Sequence, residues 1–369
     1  MSYTDQMVLA EFWNGGDTGV GIWDGDEEPA IVLPTQFVYY GSPSRRRNVG
    51  ISADRTAFFQ VDGSGMRRWD LADGSLTVTA NTGLVPVESS FRGAVMPDGL
   101  VVTVCGSVST PLASFLYNPG DGSFTALPIN GRLTNAVAPS HDGTRLYVGR
   151  STGSPVGVLT VYASAGWGEV VSFSATALGT LAGLSFPAST LVTSAHPSPD
   201  GTLLAVAVTD NVSEARVVVL DTTDWSVAQT INATGFYTPF DVVGWAWDSQ
   251  VLVIHGYGGT SPRWYARNGD DTFTYVGAQI GSTNAGSVVA PGVYRHVTTS
   301  DYSVPPGGHD GVRTYSLDDG SVVRTLRRAG SAAALSGTTV FAPTVPLLGP
   351  TPAAQPFWTN FKRTTEIVG

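Results

Sequence analysis

A chain of 369 residues with 30 acidic and 20 basic side chains carries a formal charge of −10, and its pI is near 4.8. A surface of that sign repels phosphate backbones, so nucleic acid is not an expected partner. Hydrophobic residues make up 42%, charged residues only 14%, and 44 Gly and 23 Pro punctuate short apolar runs. That composition reads as an all-β protein of many short strands, and no run reaches the ~20 apolar residues of a membrane-inserted helix.

Along the chain, the N-terminus Met1-Ser-Tyr-Thr-Asp-Gln lacks the basic and apolar regions of a secretory signal. Synthesis in the cytoplasm without a signal peptide is the expectation. A first hairpin runs from Val20-Gly-Ile-Trp23 into Pro29-Ala-Ile-Val-Leu33. Arg45, Arg46 and Arg47 then form the densest basic run, which reads as a solvated loop, as does the shorter pair Arg327 and Arg328.

From Ser52 onward one unit recurs. It opens with a tight turn into an apolar strand, at Ser52-Ala-Asp-Arg-Thr, Met96-Pro-Asp-Gly-Leu, Ser140-His-Asp-Gly-Thr and Ser198-Pro-Asp-Gly-Thr. Asp-Gly suits such turns, because glycine reaches positive φ freely and aspartate bonds nearby backbone amides. Each unit continues into a second hairpin whose first strand ends on a large apolar residue. Those residues are Trp23, Trp69, Tyr117, Tyr162, Leu220, Tyr265, Tyr315 and Phe361. Their spacings of 46, 48, 45, 58, 45, 50 and 46 residues match the period of propeller blades.

The long step contains an inserted loop, Leu178-Gly-Thr-Leu-Ala-Gly-Leu-Ser-Phe-Pro187, and no segment shows helical periodicity over a dozen residues. Small-residue runs such as Thr134-Asn-Ala-Val-Ala and Gly286-Ser-Val-Val-Ala suit the crowded innermost strand. The expected fold is therefore an all-β propeller of four-stranded antiparallel blades forming one domain over 1–369. The count of hairpins is eight, and the last strand is Thr364-Thr-Glu-Ile-Val368. The alternative is seven repeat units over 44–369, with 1–43 an N-terminal β arm or a share of the closing blade.

The unit Pro197-Ser-Pro-Asp-Gly-Thr-Leu-Leu-Ala-Val, followed by Val217-Val-Val-Leu-Asp-Thr-Thr-Asp-Trp-Ser-Val, resembles the YVTN and WD40-like propeller repeats. The resemblance is close over 198–231 and looser elsewhere from Ser52 on. Trp-Asp pairs occur at Trp23, Trp69 and Trp247, and the sole Gly-His is Gly308-His309, so the regular WD40 signature is missing. The resemblance implies architecture and leaves function to the site.

Chemistry-bearing residues give little. Cys105, the single cysteine, lies in the apolar run Val101-Val-Thr-Val-Cys and reads as a small buried hydrophobe. His141, His196, His255, His296 and His309 form no zinc-ligand spacing. His141 and His196 sit beside blade-opening turns and are expected to serve the turn or to lie exposed; His255 follows an apolar strand and reads as a core or channel residue. Asp24-Gly-Asp26-Glu-Glu28 matches a calcium loop only in part, Asp318-Asp319-Gly does not match one, and Asp270-Asp271 reads as a hairpin tip. The glycines of Gly256-Tyr-Gly-Gly-Thr-Ser read as turn glycines. Trp245, Trp247, Trp264, Tyr265, Phe357 and Trp358 are read mainly as inter-blade packing. No catalytic, cofactor-binding or metal residue is assigned.

The expectation is a non-enzymatic structural or protein-interaction propeller, with other proteins of an assembly as partners. A bacteriophage virion, in which it would be a tail or capsid-attached protein, is the concrete case. The alternative is a propeller enzyme or glycan-binding module, lactonase-like or carbohydrate-directed. Such enzymes gather catalytic residues from loops of different blades, which leaves no spacing in a sequence.

Overall fold

The computed structural model describes residues 7–14, 17–24, 31–33, 47–52, 54, 56–62, 65–80, 90–106, 113–152, 157–210, 212–233, 237–246, 249–257, 262–278, 285–289, 296–301, 311–318, 321–326 and 339–341. Among these, 28 strands form seven four-stranded antiparallel sheets. Blade I joins β1 (Met7–Asn14), β2 (Asp17–Asp24) and β3 (Ile31–Leu33) to β28 (Thr339–Phe341), the last described strand. Blade II is β4 (Arg47–Ile51), β5 (Ala57–Asp62), β6 (Gly65–Asp70) and β7 (Leu76–Ala80). Blade III is β8 (Ser90–Val95), β9 (Val101–Gly106), β10 (Ala113–Asn118) and β11 (Ser123–Asn130). Blade IV is β12 (Thr134–Pro139), β13 (Arg145–Arg150), β14 (Leu159–Ala163) and β15 (Glu169–Phe173). Blade V is β16 (Leu191–Pro197), β17 (Leu203–Thr209), β18 (Ala215–Asp221) and β19 (Val227–Asn232). Blade VI is β20 (Tyr237–Ala246), β21 (Val251–Tyr257), β22 (Arg263–Arg267) and β23 (Phe273–Ala278). Blade VII is β24 (Ala285–Val289), β25 (His296–Asp301), β26 (Gly311–Ser316) and β27 (Val322–Leu326).

The first strands of successive blades touch in order, from β4 to β8, β12, β16, β20, β24 and β28, so the sheets stand side by side around an axis as a β-propeller. The described sheets therefore number seven where eight hairpins were counted. The large apolar marker residues from Trp23 to Tyr315 all fall on the third strand of their sheet. Phe361, the eighth marker, and the strand at 364–368 lie outside the described residues. The first three strands are a share of a blade whose innermost strand comes from the other end of the chain, with Leu9 paired to Phe341.

Sequence pattern explains the layering. Every residue of β12, β16 and β17 is buried, because inner strands meet neighbours on both faces. In β17 the alternation serves two seams. Leu203, Ala205 and Ala207 face blade VI, where they cluster with Trp245, Leu252 and Ile254. Leu204, Val206 and Val208 face blade IV, where they cluster with Tyr147 and Val161. A third cluster joins blades II, III and IV through Phe59, Met66, Val102, Phe115, Leu146 and Tyr162. Outer strands are wetter: β7 is exposed at Leu76, Thr77, Val78 and Ala80.

Small residues let the inner strands approach. A Cβ on Gly149 would collide with Val192 of the next blade's first strand. The first-to-second strand register also slips at one place in blades II, IV, V and VII, at Val49, Asn135, Thr193 and Gly286, and at two places in blade VI, at Thr238–Pro239 and at Val243. Such bulges sharpen strand twist.

The inserted segment folds differently from the loop expected. It contains α1 (Ala175–Ala182), capped by Ser174, whose hydroxyl accepts from the Ala177 amide at 3.1 Å. Gly183, at φ 69°, ends the helix, and the Leu184 amide donates back to the Gly179 carbonyl. Leu178, Ala182 and Leu184 pack with Val218 and Leu220 of blade V. A single 3-10 turn, Pro187–Ser189, then leads into β16.

Candidate functional site

Antiparallel order places the first-to-second and third-to-fourth strand connections on one side of the ring, here the turn face. The remaining connections lie on the opposite side, the connection face. The turn face is built from aspartates. In blade IV, the Ser140 hydroxyl donates to Asp142 at 2.5 Å, the Thr144 amide donates to the same carboxylate at 3.0 Å, and the Arg145 amide donates to Ser140 Oγ at 2.9 Å. Ser198, Asp200, Thr202 and Leu203 repeat this in blade V, and Ser52, Asp54, Thr56 and Ala57 do so in blade II. Burial pushes the Asp142 and Asp200 carboxyls up, but these bonds outweigh it and leave both below the ordinary value.

The second hairpins follow suit. Asp73, Asp121, Asp224 and Asp270 each accept the amide two residues on, from Ser75, Ser123, Ser226 and Thr272. Bonds from those same residues hold all four carboxyls below the usual range. These aspartates are structural turn caps, as read for Asp270 and Asp271. The sequence 24–28 has no described side chain, and Asp318 ends as an exposed turn residue.

Neighbouring turns are fastened together. Arg267 of blade VI bridges Asp200 of blade V at 2.5 Å and Asp271 at 2.7 Å, and bonds Thr202 Oγ1 at 3.0 Å. Arg145 of blade IV donates to the Thr222 carbonyl at 2.8 Å and lies 5.3 Å from the Trp225 ring centroid. Trp225 holds φ 64° and Trp167 φ 59°, where blades II and III place Gly74 and Gly122 at φ 74°. Packing retains these strained backbones, because Trp225 lies against the IV/V cluster and Trp167 against the II/III/IV cluster.

The two described histidine side chains are buried, which overturns the exposed alternative, while His141 does lie in the turn that opens blade IV. His141 is 8% and His196 1% accessible. The turn that opens one blade is covered by the next blade, so a residue beside it is seam and not rim. Burial lowers His141 to about 4, against the opposing pull of the Pro197 carbonyl it donates to and of Asp200 and Asp142. Burial alone lowers His196 to about 3, and its Nδ1 has no hydrogen-bond partner among the described residues. Trp245 donates its indole N–H to the His196 carbonyl at 3.0 Å. Trp245, Trp264 and Tyr265 are buried between blades as expected. The backbones of Cys105 and His255 lie in β9 and β21, with side chains outside the description, as with His296. His309, Trp247, Phe357, Trp358, Arg45, Arg46, Arg327 and Arg328 lie outside the described residues altogether.

A further buried cation escaped notice in the sequence. Arg150, fully buried, donates to Thr160 Oγ1 at 2.8 Å, to the Tyr162 hydroxyl at 3.1 Å and to the Asn130 carbonyl of blade III at 2.8 Å. Its signal would have been a charged residue closing the apolar run Leu146-Tyr-Val-Gly.

The connection face carries the inserted helix and a loop in which Asp210 accepts three amides, from Val212, Ser213 and Glu214. Ser185 Oγ donates to Glu214 at 2.6 Å and ties the insertion to that loop. Phe186 and Val212 stand 62% and 81% exposed beside this tie. Among the described residues no group of three His, Cys, Asp or Glu is placed to hold a metal, and no helix is long and apolar enough to cross a membrane.

The sheets and their order define a β-propeller. No family model matches the chain, and no curated protein does. Among solved structures it is similar to a functionally unknown protein from Desulfotomaculum acetoxidans, at 16% identity and TM-score 0.57, over 91% of this chain and 99% of that one. It is also similar to the β-propeller domain of Cps50 (Swd1) from Myceliophteria thermophila, at 12% identity and TM-score 0.55, over 82% and 94%. Hydrazine synthase from Kuenenia stuttgartiensis matches at 14% identity and TM-score 0.55, over 78% and 80%. At such identities the likeness is one of fold, which has been put to unrelated uses.

Proposed function

We propose that the protein is a non-enzymatic interaction scaffold, a rigid component of a larger assembly such as a bacteriophage virion, with other proteins as its partners. The reading rests on how the reactive residue types are employed. The described turn-face aspartates cap backbone amides, Arg267, Arg145 and Arg150 tie one blade to the next, and His141 and His196 are walled into seams. Polar chemistry spent on fastening produces a stiff platform, and a stiff platform is what an assembly part requires.

Gradient sedimentation of native source material, with this chain followed by mass spectrometry, tests the proposal. Co-migration with a heavy particle supports it, and imaging that particle would show which face docks. Migration as a free species near 39 kDa, together with turnover of a lactone or retention on a glycan array, would replace it with the enzyme or glycan-binding reading.

A further inference from the structure

We propose that the junction of blades IV, V and VI is an acid-sensitive joint of the ring, closed while His141 and His196 are neutral and loosened when they take up protons.

The geometry lies in the positions of the two imidazoles. His141 sits in the turn between β12 and β13, and its ring N–H reaches across the seam to the Pro197 carbonyl at the end of β16. His196 is the residue just before Pro197. It pairs with Ala205 of β17, a member of the seam cluster that contains Trp245 of β20. Its carbonyl is held by the Trp245 indole, so the backbone of 196–197 receives one bond from each flanking blade. The two histidines thus occupy one continuous strip through three blades.

Their charged surroundings differ. His141 faces Asp142 on its own turn and Asp200 from the turn between β16 and β17, while Arg145 adjoins Asp142 and Arg267 holds Asp200. The carboxylates favour the imidazolium, yet burial prevails and the folded group titrates near 4. No charged group among the described residues acts on His196 from β16, β17 or β20, and it titrates near 3. A buried Nδ1 with no partner among the described residues cannot accept a proton without placing a charge beside an indole and alanine wall.

Opening the joint restores water to both rings and returns them to about 6.5, the value of a free histidine. Between pH 7.5 and pH 5 each imidazole then favours the open form by a factor of about 30. The seam shared by blades II and III supplies an internal control. Its cluster of Val49, Phe59, Met66, Val102 and Phe115 contains no histidine among the described residues.

Amide hydrogen exchange on the full chain at pH 7.5 and pH 5, corrected for intrinsic rates, reads this directly. The expected result is a loss of protection in β12, β16 and β20 at least 10-fold greater than in β5, β9 and β10. Equal losses in both regions, or none, would overturn the proposal. In a His141→Gln, His196→Leu chain that retains its β circular dichroism, the differential should vanish; its persistence also overturns the proposal. If that chain does not fold, His141→Gln alone should shrink the differential, by up to about 30-fold, and an unchanged differential decides against the joint.

Discussion

In the seam between blades III and IV the Arg150 guanidinium is fully buried, and its donors reach Thr160, Tyr162 and the Asn130 carbonyl. In the seam between blades V and VI the His196 ring is equally buried, and its Nδ1 meets no partner among the described residues. Both seams shield a basic side chain from water, and the difference lies in what meets it. A guanidinium keeps its charge at any ordinary pH, so its desolvation has to be matched by permanent bonds. An imidazole can shed its charge and sit in an apolar wall, at the cost of making that wall conditional on pH.

The comparison can be broken most forcefully at its aromatic end. Trp245→Ala removes a buried ring from the V/VI seam and the donor to the His196 carbonyl, and should cost about 3–5 kcal/mol, read from the urea midpoint. Arg150→Ala should cost about 3 kcal/mol in the other seam, because it leaves the Tyr162 hydroxyl and the Asn130 carbonyl without their donor.

Acid separates the seams next. The unfolded chain binds protons at its histidines below about 6.5, while the folded chain resists down to about 4 at His141 and about 3 at His196. Stability therefore falls as pH drops through 6.5, and the loss levels off below the folded values. At pH 5 it amounts to about 2 kcal/mol per imidazole. A urea-midpoint series in pH should lose this slope in the chain lacking both histidines. Below about 3.8 the turn carboxylates add a second loss, since Asp142 and Asp200 are lowered in the fold.

Gly149→Ala tests the closeness of the IV/V seam, where the new methyl meets Val192, and should cost about 1–3 kcal/mol. The smallest effect is a difference between two variants of one residue. Trp225→Ala loses the ring and keeps the left-handed backbone, whereas Trp225→Gly loses the ring and relieves it. The glycine chain should be more stable by about 1 kcal/mol; equal midpoints would mean the turn relaxes when the ring is gone.

Much of this architecture was legible because it is local. Asp-Gly turns and the large residue ending each third strand depend on neighbours a few positions away, so Trp69, Tyr117, Tyr162, Leu220, Tyr265 and Tyr315 marked their sheets correctly. Three features left no local mark. The helix at 175–182 spans eight residues, too few for a periodic signal, and its buried side chains are only Leu178 and Ala182 beside Gly179. His141 and His196 resemble exposed turn residues until a neighbouring blade covers them. Blade number depends on the pairing of Leu9 with Phe341, which no window of sequence contains. The strained tryptophans were hidden for a related reason: Trp225 takes a glycine's backbone because Arg145, from another blade, lies over it.

That pairing of the two ends also sets an order of events during biosynthesis. The strands β1, β2 and β3 leave the ribosome before the other described strands, yet the sheet they belong to lacks its innermost member until residues 339–341 emerge. Throughout elongation β1 presents an unsatisfied edge, and the intervening sheets must form before the ends can meet. Completion is therefore a late, long-range event. A ribosome that stalls before β28 releases an open arc whose β1 edge is unpaired, a species exposed to aggregation.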